Sequence, residues 1–187
     1  AATVRAAAFV SDGAGQARSE TVTARFEKIA LDADGVYLSD LPEEDLEAYM
    51  PCWSKDANYR GNPISLEGEQ FERGILLHPA ETDAGGRAMV TYVLEGQLAR
   101  ASSFQATIGI DDSMHEHERG SARFFVEVHR GGDWQRVFES DVMRLGDEPQ
   151  TVDVDISGAQ RLRLITTDAG DGISCDHAMW ASARLMP

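Results

Sequence analysis

Short runs of alternating apolar and polar residues fill most of this chain, and they restrict it to a fold built from β-strands. Alternation with a period of two places every second side chain on one face, which is the pattern of a half-buried strand. Residues 88–94 (AMVTYVL) are instead apolar on both faces, as expected for a strand inside a sheet. The alternating runs are residues 21–29, 103–110, 121–129, 151–156 and 161–166.

Turns rich in glycine and aspartate separate these runs, for example DADG, AGGR and DAGDG. Many short strands at this spacing are typical of a sandwich or barrel, and the pattern lacks the long helices between strands of a Rossmann or TIM fold. The sequence therefore predicts an all-β fold, either a sandwich or a barrel. Residues 40–49 (DLPEEDLEAY) predict a helical turn, because a proline stands early in them and acidic residues fill the first turn.

The length of 187 residues suits one domain of ordinary size with a short addition. Residues 1–34 differ in composition from the rest, since they are rich in alanine, threonine and serine. We expect residues 1–34 to form an N-terminal extension or an added strand, and residues 35–187 to form the main β-domain.

The chain is strongly acidic, since 32 aspartate and glutamate residues stand against 17 lysine and arginine residues, for a formal net charge of −15. Such a charge repels phosphate backbones and anionic lipid surfaces. We therefore expect neither nucleic acid nor a membrane as a partner. The sequence has no run as long as a membrane-spanning helix, and its first residues lack the pattern of a signal peptide, which we expect to be absent or already removed.

The sequence contains two cysteines, Cys52 and Cys175. In an oxidising compartment they could form one long-range disulfide, and otherwise they would be two free thiols. The sequence leaves both alternatives open.

The segment GDGISCDHAMWASARL (170–185) crowds potentially reactive side chains together. On a strand, Cys175 and His177 could share a face, but a Cys–His nucleophile pair needs further partners from elsewhere in the chain, and the sequence indicates none. Motifs such as G-x-S-x-G, the Walker loop and H-E-x-x-H are also absent from the sequence. We therefore expect a non-catalytic protein.

Two further segments carry metal-ligand types. In HEHE (115–118), His115 and His117 could bind zinc with a carboxylate if the segment were extended, but we favour a solvated acidic loop between two strands. In DAGDGISCD (168–176), three aspartates in a glycine-containing loop could collect the oxygen ligands of calcium, or could cap a turn between strands.

Aromatic residues in polar loops suggest a sugar site. Trp53 and Tyr59 lie in CWSKDANYRGNP (52–63), a polar segment without periodicity. Sugars pack their C–H faces on exposed rings, while polar side chains bind their hydroxyls. Composition alone favours Trp53 as a ring that fills a space under the loop over a sugar platform, and Trp180, inside an apolar run, is expected in the core.

From residue 37 to its end the chain resembles the NPCBM family, also called carbohydrate-binding module family 51. The resemblance rests on the order and spacing of several motifs, including YLSDL (37–41), FERGILLHP (71–79), FQATIGIDD (104–112) and the segment 152–185, which contains DHAMW. About 150 of the 187 residues take part.

The resemblance implies that residues 35–187 form an antiparallel β-sandwich of the jelly-roll, galactose-binding type. Such a module recognises terminal galactose-containing glycans and tethers a secreted hydrolase to them, outside the cell or in the periplasm. It also implies a structural calcium ion near a sheet edge. Positions matching the family's motifs imply calcium ligands at Asp40, Asp171 and Asp176, and a sugar site at Trp53, Tyr59, His78, Asp112 and His177.

One departure from the family's pattern concerns Met179, which stands before Trp180 where members usually carry aspartate. The missing carboxylate keeps a second interpretation open, a structural or protein-interaction sandwich that has lost sugar binding. A third interpretation is a small zinc hydrolase that uses His115 and His117.

Overall fold

The computed structural model describes residues 2–11, 17–26, 30–82 and 85–187. The chain divides into two compact units, Ala1–Ala30 and Leu31–Pro187. In the first unit, β1 (Ala2–Ser11) pairs antiparallel with β2 (Ala17–Phe26). The predicted strand at residues 21–29 overlaps β2, and its last three residues lie outside the described residues.

Fifteen short strands are described in the second unit. They are β3 (Val36–Tyr37), β4 (Asp45–Glu47), β5 (Ser54–Lys55), β6 (Ile64–Leu66), β7 (Glu69–Phe71), β8 (Gly74–Leu76), β9 (Ala80–Thr82), β10 (Gly85–Val93), β11 (Ser103–Ile110), β12 (Ser121–Arg130), β13 (Asp133–Glu139), β14 (Met143–Arg144), β15 (Gln150–Asp155), β16 (Arg161–Thr167) and β17 (Ala178–Met186). Short 3₁₀ turns occupy Leu38–Asp40, Met50–Cys52, Leu98–Arg100 and Asp112–His117.

Thirteen of these strands form two antiparallel sheets that pack face to face. The first sheet has the order β13-β12-β16-β10-β4, with β14 beside β12 and β9 beside β10. The second has the order β15-β11-β17-β8-β5, with β3 beside β17. Side chains from both sheets form one large buried cluster, which we call the main core, as an antiparallel β-sandwich requires. The predicted fold class is therefore confirmed.

Trp180 lies at the centre of this cluster and is fully buried, as expected from the sequence. Its ring packs against Phe124 of the first sheet and Phe104 of the second, with ring centroids 5.2 and 6.1 Å away. Among the helices of the described ranges, none is long and apolar enough to cross a membrane.

The alternating runs become strands because each buries one face. On β11, Phe104 and Ile108 are fully buried in the core, while the intervening Gln105 and Thr107 are partly exposed. β10 is buried on both faces, and it lies between β16 and β4. The two-sided apolar run at residues 88–94 thus correctly indicated a strand inside a sheet.

The helical turn predicted at residues 40–49 is wrong. A 3₁₀ turn ends at Asp40, and residues 45–47 form β4, which pairs with β10 so that Leu46 lies opposite Val90. The backbone of Glu44 also donates a hydrogen bond to the Thr91 carbonyl (2.8 Å). Pairing with the edge of a sheet satisfies this backbone and packs Leu46 against the core, which a solvated helical turn would not do.

A hairpin made by β6 and β7 forms a third layer on the outer face of the second sheet. Beneath it lies a separate apolar cluster, which we call the outer cluster. Ile64 of the hairpin sits directly over Gly74, where a Cβ atom would meet the Ile64 side chain at 2.7 Å. The outer cluster consists of Cys52, Ile64, Leu66, Leu76, Met179 and Ala181.

Met179 belongs to this outer cluster and is fully buried there. Because side chains alternate along β17, Met179 faces the hairpin while Trp180 faces the main core. The residue that departs from the family's pattern therefore fills an apolar space.

Candidate functional site

Four aromatic rings stand side by side where strands β8 and β17 meet the neighbouring loops. β8 and β17 pair antiparallel with Leu76 opposite Met179, and the backbone of Leu77 donates to the Ala178 carbonyl (2.9 Å). This register brings His78, which follows β8, opposite His177, which precedes β17. Both imidazoles therefore lie at one end of the second sheet.

Tyrosines flank the two imidazoles and complete what we call the ring row, Tyr49–His78–His177–Tyr59. Successive ring centroids are 5.3, 5.1 and 4.4 Å apart. A backbone hydrogen bond from Tyr49 to the His78 carbonyl (3.1 Å) holds the first pair together. The row thus joins four residues that are far apart in the sequence.

Exposure differs strongly along the ring row. Tyr49 is 43% exposed and its neighbour Met50 is 59% exposed, whereas His78 and His177 are 4% and 6% exposed. The tyrosine therefore offers a ring surface to solvent, and the imidazoles offer little more than an edge. Exposed apolar surface beside buried polar groups is the combination found in small-molecule sites.

Burial keeps both imidazoles neutral at pH 7. It lowers the pKa of His177 to about 4, and repulsion from Arg60 and from the protonated forms of His78 and His117 acts in the same direction. Burial also lowers the pKa of His78, against a hydrogen bond between its Nδ1 and the Pro79 carbonyl (2.7 Å). Neutral imidazoles can donate and accept hydrogen bonds without attracting a charged ligand.

The HEHE segment reaches the Tyr59 end of the ring row. The Arg60 guanidinium lies 4.9 Å from the centroid of the Tyr59 ring and forms an ion pair with Glu116. The segment thus forms a lip beside Tyr59.

The zinc hydrolase interpretation, which needed His115 and His117 on one side of an extended segment, is wrong. Both lie in the 3₁₀ turn Asp112–His117. His115 contacts Asp112 and Glu67 at 3.4 and 3.7 Å, whereas His117 contacts Glu116 at 3.6 Å. The two imidazoles therefore have different carboxylate partners.

Asp112 holds the β6–β7 hairpin. Its carboxylate accepts hydrogen bonds from the backbones of Glu67 and Gly68 (both 2.9 Å) and from the Ser65 hydroxyl. Asp111 beside it is fully buried and accepts a hydrogen bond from Asn58 (3.2 Å). These contacts assign Asp112 to positioning the hairpin rather than to the ring row.

Trp53 packs against the main core and is partly exposed. Its ring is not one of the four rings of the ring row. Within the described residues the aromatic surface most open to a ligand is that of Tyr49, a residue that sequence reasoning missed because it lay inside the wrongly predicted helical turn.

A second candidate site lies beside the start of β12, in a cleft of about 340 Å³. Ser121 joins two of the predicted metal ligands there. Its hydroxyl donates to the carboxylate of Asp171 (2.9 Å), and its backbone donates to Oδ1 of Asp176 (2.9 Å). The other oxygen of Asp176 is buried and has no hydrogen-bond partner among the described residues.

The Asp176 carboxyl is poorly stabilised as an anion. Burial raises its pKa to about 7, the Ser121 backbone hydrogen bond opposes this, and the charges of Asp171 and Asp168 raise it further. Gly120 permits the crowding, since a Cβ atom there would lie 2.4 Å from the Cys175 carbonyl oxygen. A cation bound beside this carboxyl would favour its ionised form, so the cleft is a candidate cation site.

Asp40, the third predicted metal ligand, has other partners. Its carboxylate pairs with Arg73 (2.8 Å), which also pairs with Asp56 (2.9 Å). The described contacts therefore join Asp171 with Asp176 and do not bring Asp40 to them.

Both cysteines are free thiols. Cys52 lies near the ring row, and its sulfur and one nitrogen each of His78 and His177 all lie within 4.8 Å of one another. Cys175 is partly exposed in the loop that precedes His177. A disulfide between them is thus not formed.

Residues 34–186 match the profile of the NPCBM/NEW2 domain family. A curated protein of Renibacterium salmoninarum, with the provisional name endo-alpha-N-acetylgalactosaminidase, is 29% identical over 126 residues. That match covers 67% of this chain and 7% of the relative, so this chain spans only a small part of the relative's length.

Solved structures of similar fold include two from Clostridium perfringens. The CBM51 of GH95 in complex with methyl-galactose is 30% identical, with a TM-score of 0.68, and the match covers 81% of this chain and 99% of that one. The CBM51-2 in complex with GlcNAc and INT domains of ZmpB is 26% identical, with a TM-score of 0.67, covering 98% of this chain and 37% of that one.

Proposed function

Because this chain belongs to the NPCBM/NEW2 family and its sandwich is a carbohydrate-binding module, we propose that it recognises a terminal galactose-type glycan without catalysing a reaction. The observation that carries this proposal is the ring row, in which an exposed tyrosine adjoins two buried, neutral imidazoles. An exposed ring for the C–H face of a sugar and polar groups for its hydroxyls thus lie together at one edge of the sandwich.

Each part of the ring row has a role in this proposal. The Tyr49 ring, with the exposed Met50 beside it, offers an apolar surface to the C–H face of a sugar ring. The accessible edges of His78 and His177 bind hydroxyls, and Arg60 over Tyr59 supplies further donors at the other end. Such a shallow site should bind with a dissociation constant on the order of 0.1 to 1 mM.

The preference for galactose is supported by one relative. The similar module of Clostridium perfringens GH95 was solved with methyl-galactose, while that of ZmpB was solved with GlcNAc. Both are neutral sugars, which agrees with the neutral imidazoles and with the acidity of this chain. Methyl-galactose and GlcNAc are therefore the two sugars to compare.

Calorimetry of the two sugars with wild type, Tyr49→Ala and Tyr37→Ala tests the proposal. Tyr37 is a matched control because it is also a partly exposed tyrosine, but it pairs with Arg184 at the opposite end of β17. We expect methyl-galactose to bind wild type and Tyr37→Ala equally, and Tyr49→Ala at least about fivefold more weakly. Binding of GlcNAc alone would overturn the galactose preference.

The alternative function, a structural or protein-interaction sandwich without sugar binding, makes the opposite prediction. It predicts no heat with either sugar at millimolar concentration and no signal on a glycan array. The exposed Tyr49 and Met50 would then belong to a protein contact.

We also propose that the module targets an attached enzyme, outside the cell or in the periplasm, to its glycan substrate. The support is that the match covers only 7% of a relative named as a glycosidase. Linkage to an enzyme or to further modules would raise the effective affinity of a weak site. Deleting the module from a full-length parent enzyme should lower turnover of an insoluble glycan and leave turnover of a small soluble substrate unchanged.

We further propose that Asp171 and Asp176 hold a structural calcium ion. The residues fit the ion, because the unpartnered oxygen of Asp176 lies in the same cleft as the Asp171 carboxylate. Calcium takes six to eight oxygen ligands, so backbone carbonyls or water must complete the set. When bound, the ion would stabilise the ionised form of the Asp176 carboxyl, which burial and the charges of Asp171 and Asp168 otherwise disfavour.

A further inference from the structure

Three side chains with soft or borderline metal-ligand atoms converge next to the outer cluster. Cys52, His78 and His177 are 9%, 4% and 6% exposed. The Cys52 sulfur and one nitrogen of each imidazole lie within 4.8 Å of one another. Tetrahedral ligands at the bond lengths that zinc prefers lie about 3.5 Å apart, so a closing movement of about 1 Å suffices.

The strand register explains why these three side chains meet. β5 and β8 pair with Ser54 opposite Leu76, and β8 and β17 pair with Leu76 opposite Met179. Cys52, His78 and His177 each lie two residues beyond these positions, so the three segments leave the sheet at the same end. The cluster therefore rests on three adjacent segments of the second sheet.

Each imidazole has a ring nitrogen that is available to bind a metal ion. The Nδ1 of His78 contacts the Pro79 carbonyl at 2.7 Å, which requires a proton on Nδ1 and leaves the lone pair of Nε2 free. Metal-ligating histidines usually make such a second hydrogen bond to a backbone carbonyl. The Nδ1 of His177 is buried and has no partner in the described part of the chain, which is costly for a polar atom.

We propose that Cys52, His78 and His177 form a zinc site. Thiolate and imidazole are the ligands that zinc prefers, and three protein ligands leave a fourth position for water or another oxygen ligand. On binding, the Cys52 thiol loses its proton to solvent, so one proton is released for each ion bound at this residue. The site differs from the calcium site in ligand chemistry and from the HEHE segment in all of its residues.

Zinc titration of zinc-free protein, with calcium present in excess, tests the proposal. We expect one zinc per chain in wild type and in Cys175→Ala, and at least about 100-fold weaker binding in Cys52→Ala and His177→Ala. Cys175→Ala is the matched control, since it removes the other thiol, which lies outside the cluster. Circular dichroism verifies that each variant is folded.

Cobalt spectroscopy and thiol chemistry give two further readouts, of which thiol protection needs no variant. Cobalt(II) bound to wild type or Cys175→Ala should show a thiolate-to-cobalt charge-transfer band, and Cys52→Ala should lack it. In unmutated protein, zinc should protect one of the two thiols from a thiol reagent. Absence of stoichiometric zinc, or full zinc binding by folded Cys52→Ala, would overturn the proposal.

Failure of this proposal is separable from failure of the glycan proposal, although both involve His78 and His177. Zinc binding is measured without sugar, and sugar binding is measured on protein kept free of zinc by a chelator with excess calcium. Retention of zinc by Cys52→Ala but not by His115→Ala would place the ion at Glu67, Asp112 and His115 instead, and would also overturn the proposal.

Discussion

The Tyr59 ring meets the His177 imidazole edge-on, with centroids 4.4 Å apart and ring planes inclined by 81°. The same tyrosine packs against both the main core and the outer cluster. Tyr59 therefore sets the position of a buried imidazole at the same time as it forms one end of the ring row.

Tyr59→Ala should weaken methyl-galactose binding about fivefold to tenfold, because the imidazole loses its packing partner and Arg60 loses the ring beneath it. Tyr59→Phe retains the ring and should bind within about twofold of wild type. Calorimetry measures both. An equal loss in the two variants would assign the effect to the phenol hydroxyl and contradict the packing argument.

Trp53→Ala should destabilise the protein by about 2 to 3 kcal/mol and leave the sugar affinity of the folded protein unchanged. The ring packs against the core, and its removal leaves a cavity. Urea unfolding measures the free energy, and Trp53→Phe should recover part of it. Unchanged stability with a tenfold loss of affinity would instead make Trp53 the sugar platform.

Calcium should raise the melting temperature of wild type, and a chelator should lower it again. When the calcium concentration is about one hundred times the dissociation constant, binding adds about 2.7 kcal/mol to the free energy of unfolding. This raises the melting temperature by roughly 5 to 10 °C for a domain of this size. Asp176→Asn should lose this response, whereas Asp133→Asn, an exposed position at the far end of β12's hairpin, should keep it. An equal shift in both variants would exclude Asp176 as a ligand.

Asp112→Asn should cost about 1 to 2 kcal/mol of stability at pH 7. Burial raises the pKa of Asp112, but hydrogen bonds from Ser65, Gly68 and Glu67 outweigh it, so the pKa lies below its ordinary value. The carboxylate therefore stabilises the fold above the unfolded-state pKa, and this stability is lost as the pH falls through the folded-state pKa. Urea unfolding of both proteins from neutral to acid pH should show the difference shrinking to zero.

Met179→Asp should destabilise the protein by about 3 kcal/mol or more, because it buries a carboxyl among apolar side chains. Met179→Leu keeps the volume and should cost less than about 1.5 kcal/mol. Chemical unfolding measures both. A folded aspartate variant that gains calcium or sugar affinity would show instead that this position can act as a ligand.

Strand positions could be predicted from the sequence because burial of alternate side chains is a local property. Ser103–Ile110 forms β11 with Phe104 and Ile108 buried, as the alternation indicated. Residues 40–49 could not be predicted in this way, since their structure depends on an edge of β10 that is distant in the sequence.

The candidate site was predictable only in part. The motifs indicated His78 and His177, and the acidic loop indicated Asp171 and Asp176, but alternation carries no information on which loops meet. Tyr49 joins the ring row through a backbone hydrogen bond to His78. Asp40 instead forms an ion pair with Arg73, a residue thirty-three positions later in the chain. Both outcomes are set by tertiary contacts.

The hairpin layer over the second sheet has an apolar cluster of its own. The main core holds the sandwich together through Trp180 and its neighbours, whereas the outer cluster lies between the second sheet and the hairpin of β6 and β7. The sheet between the two clusters separates the hairpin from the main core. Residues 64–71 can thus be exchanged with little effect on the sandwich, in nature through divergence and in the laboratory through grafting.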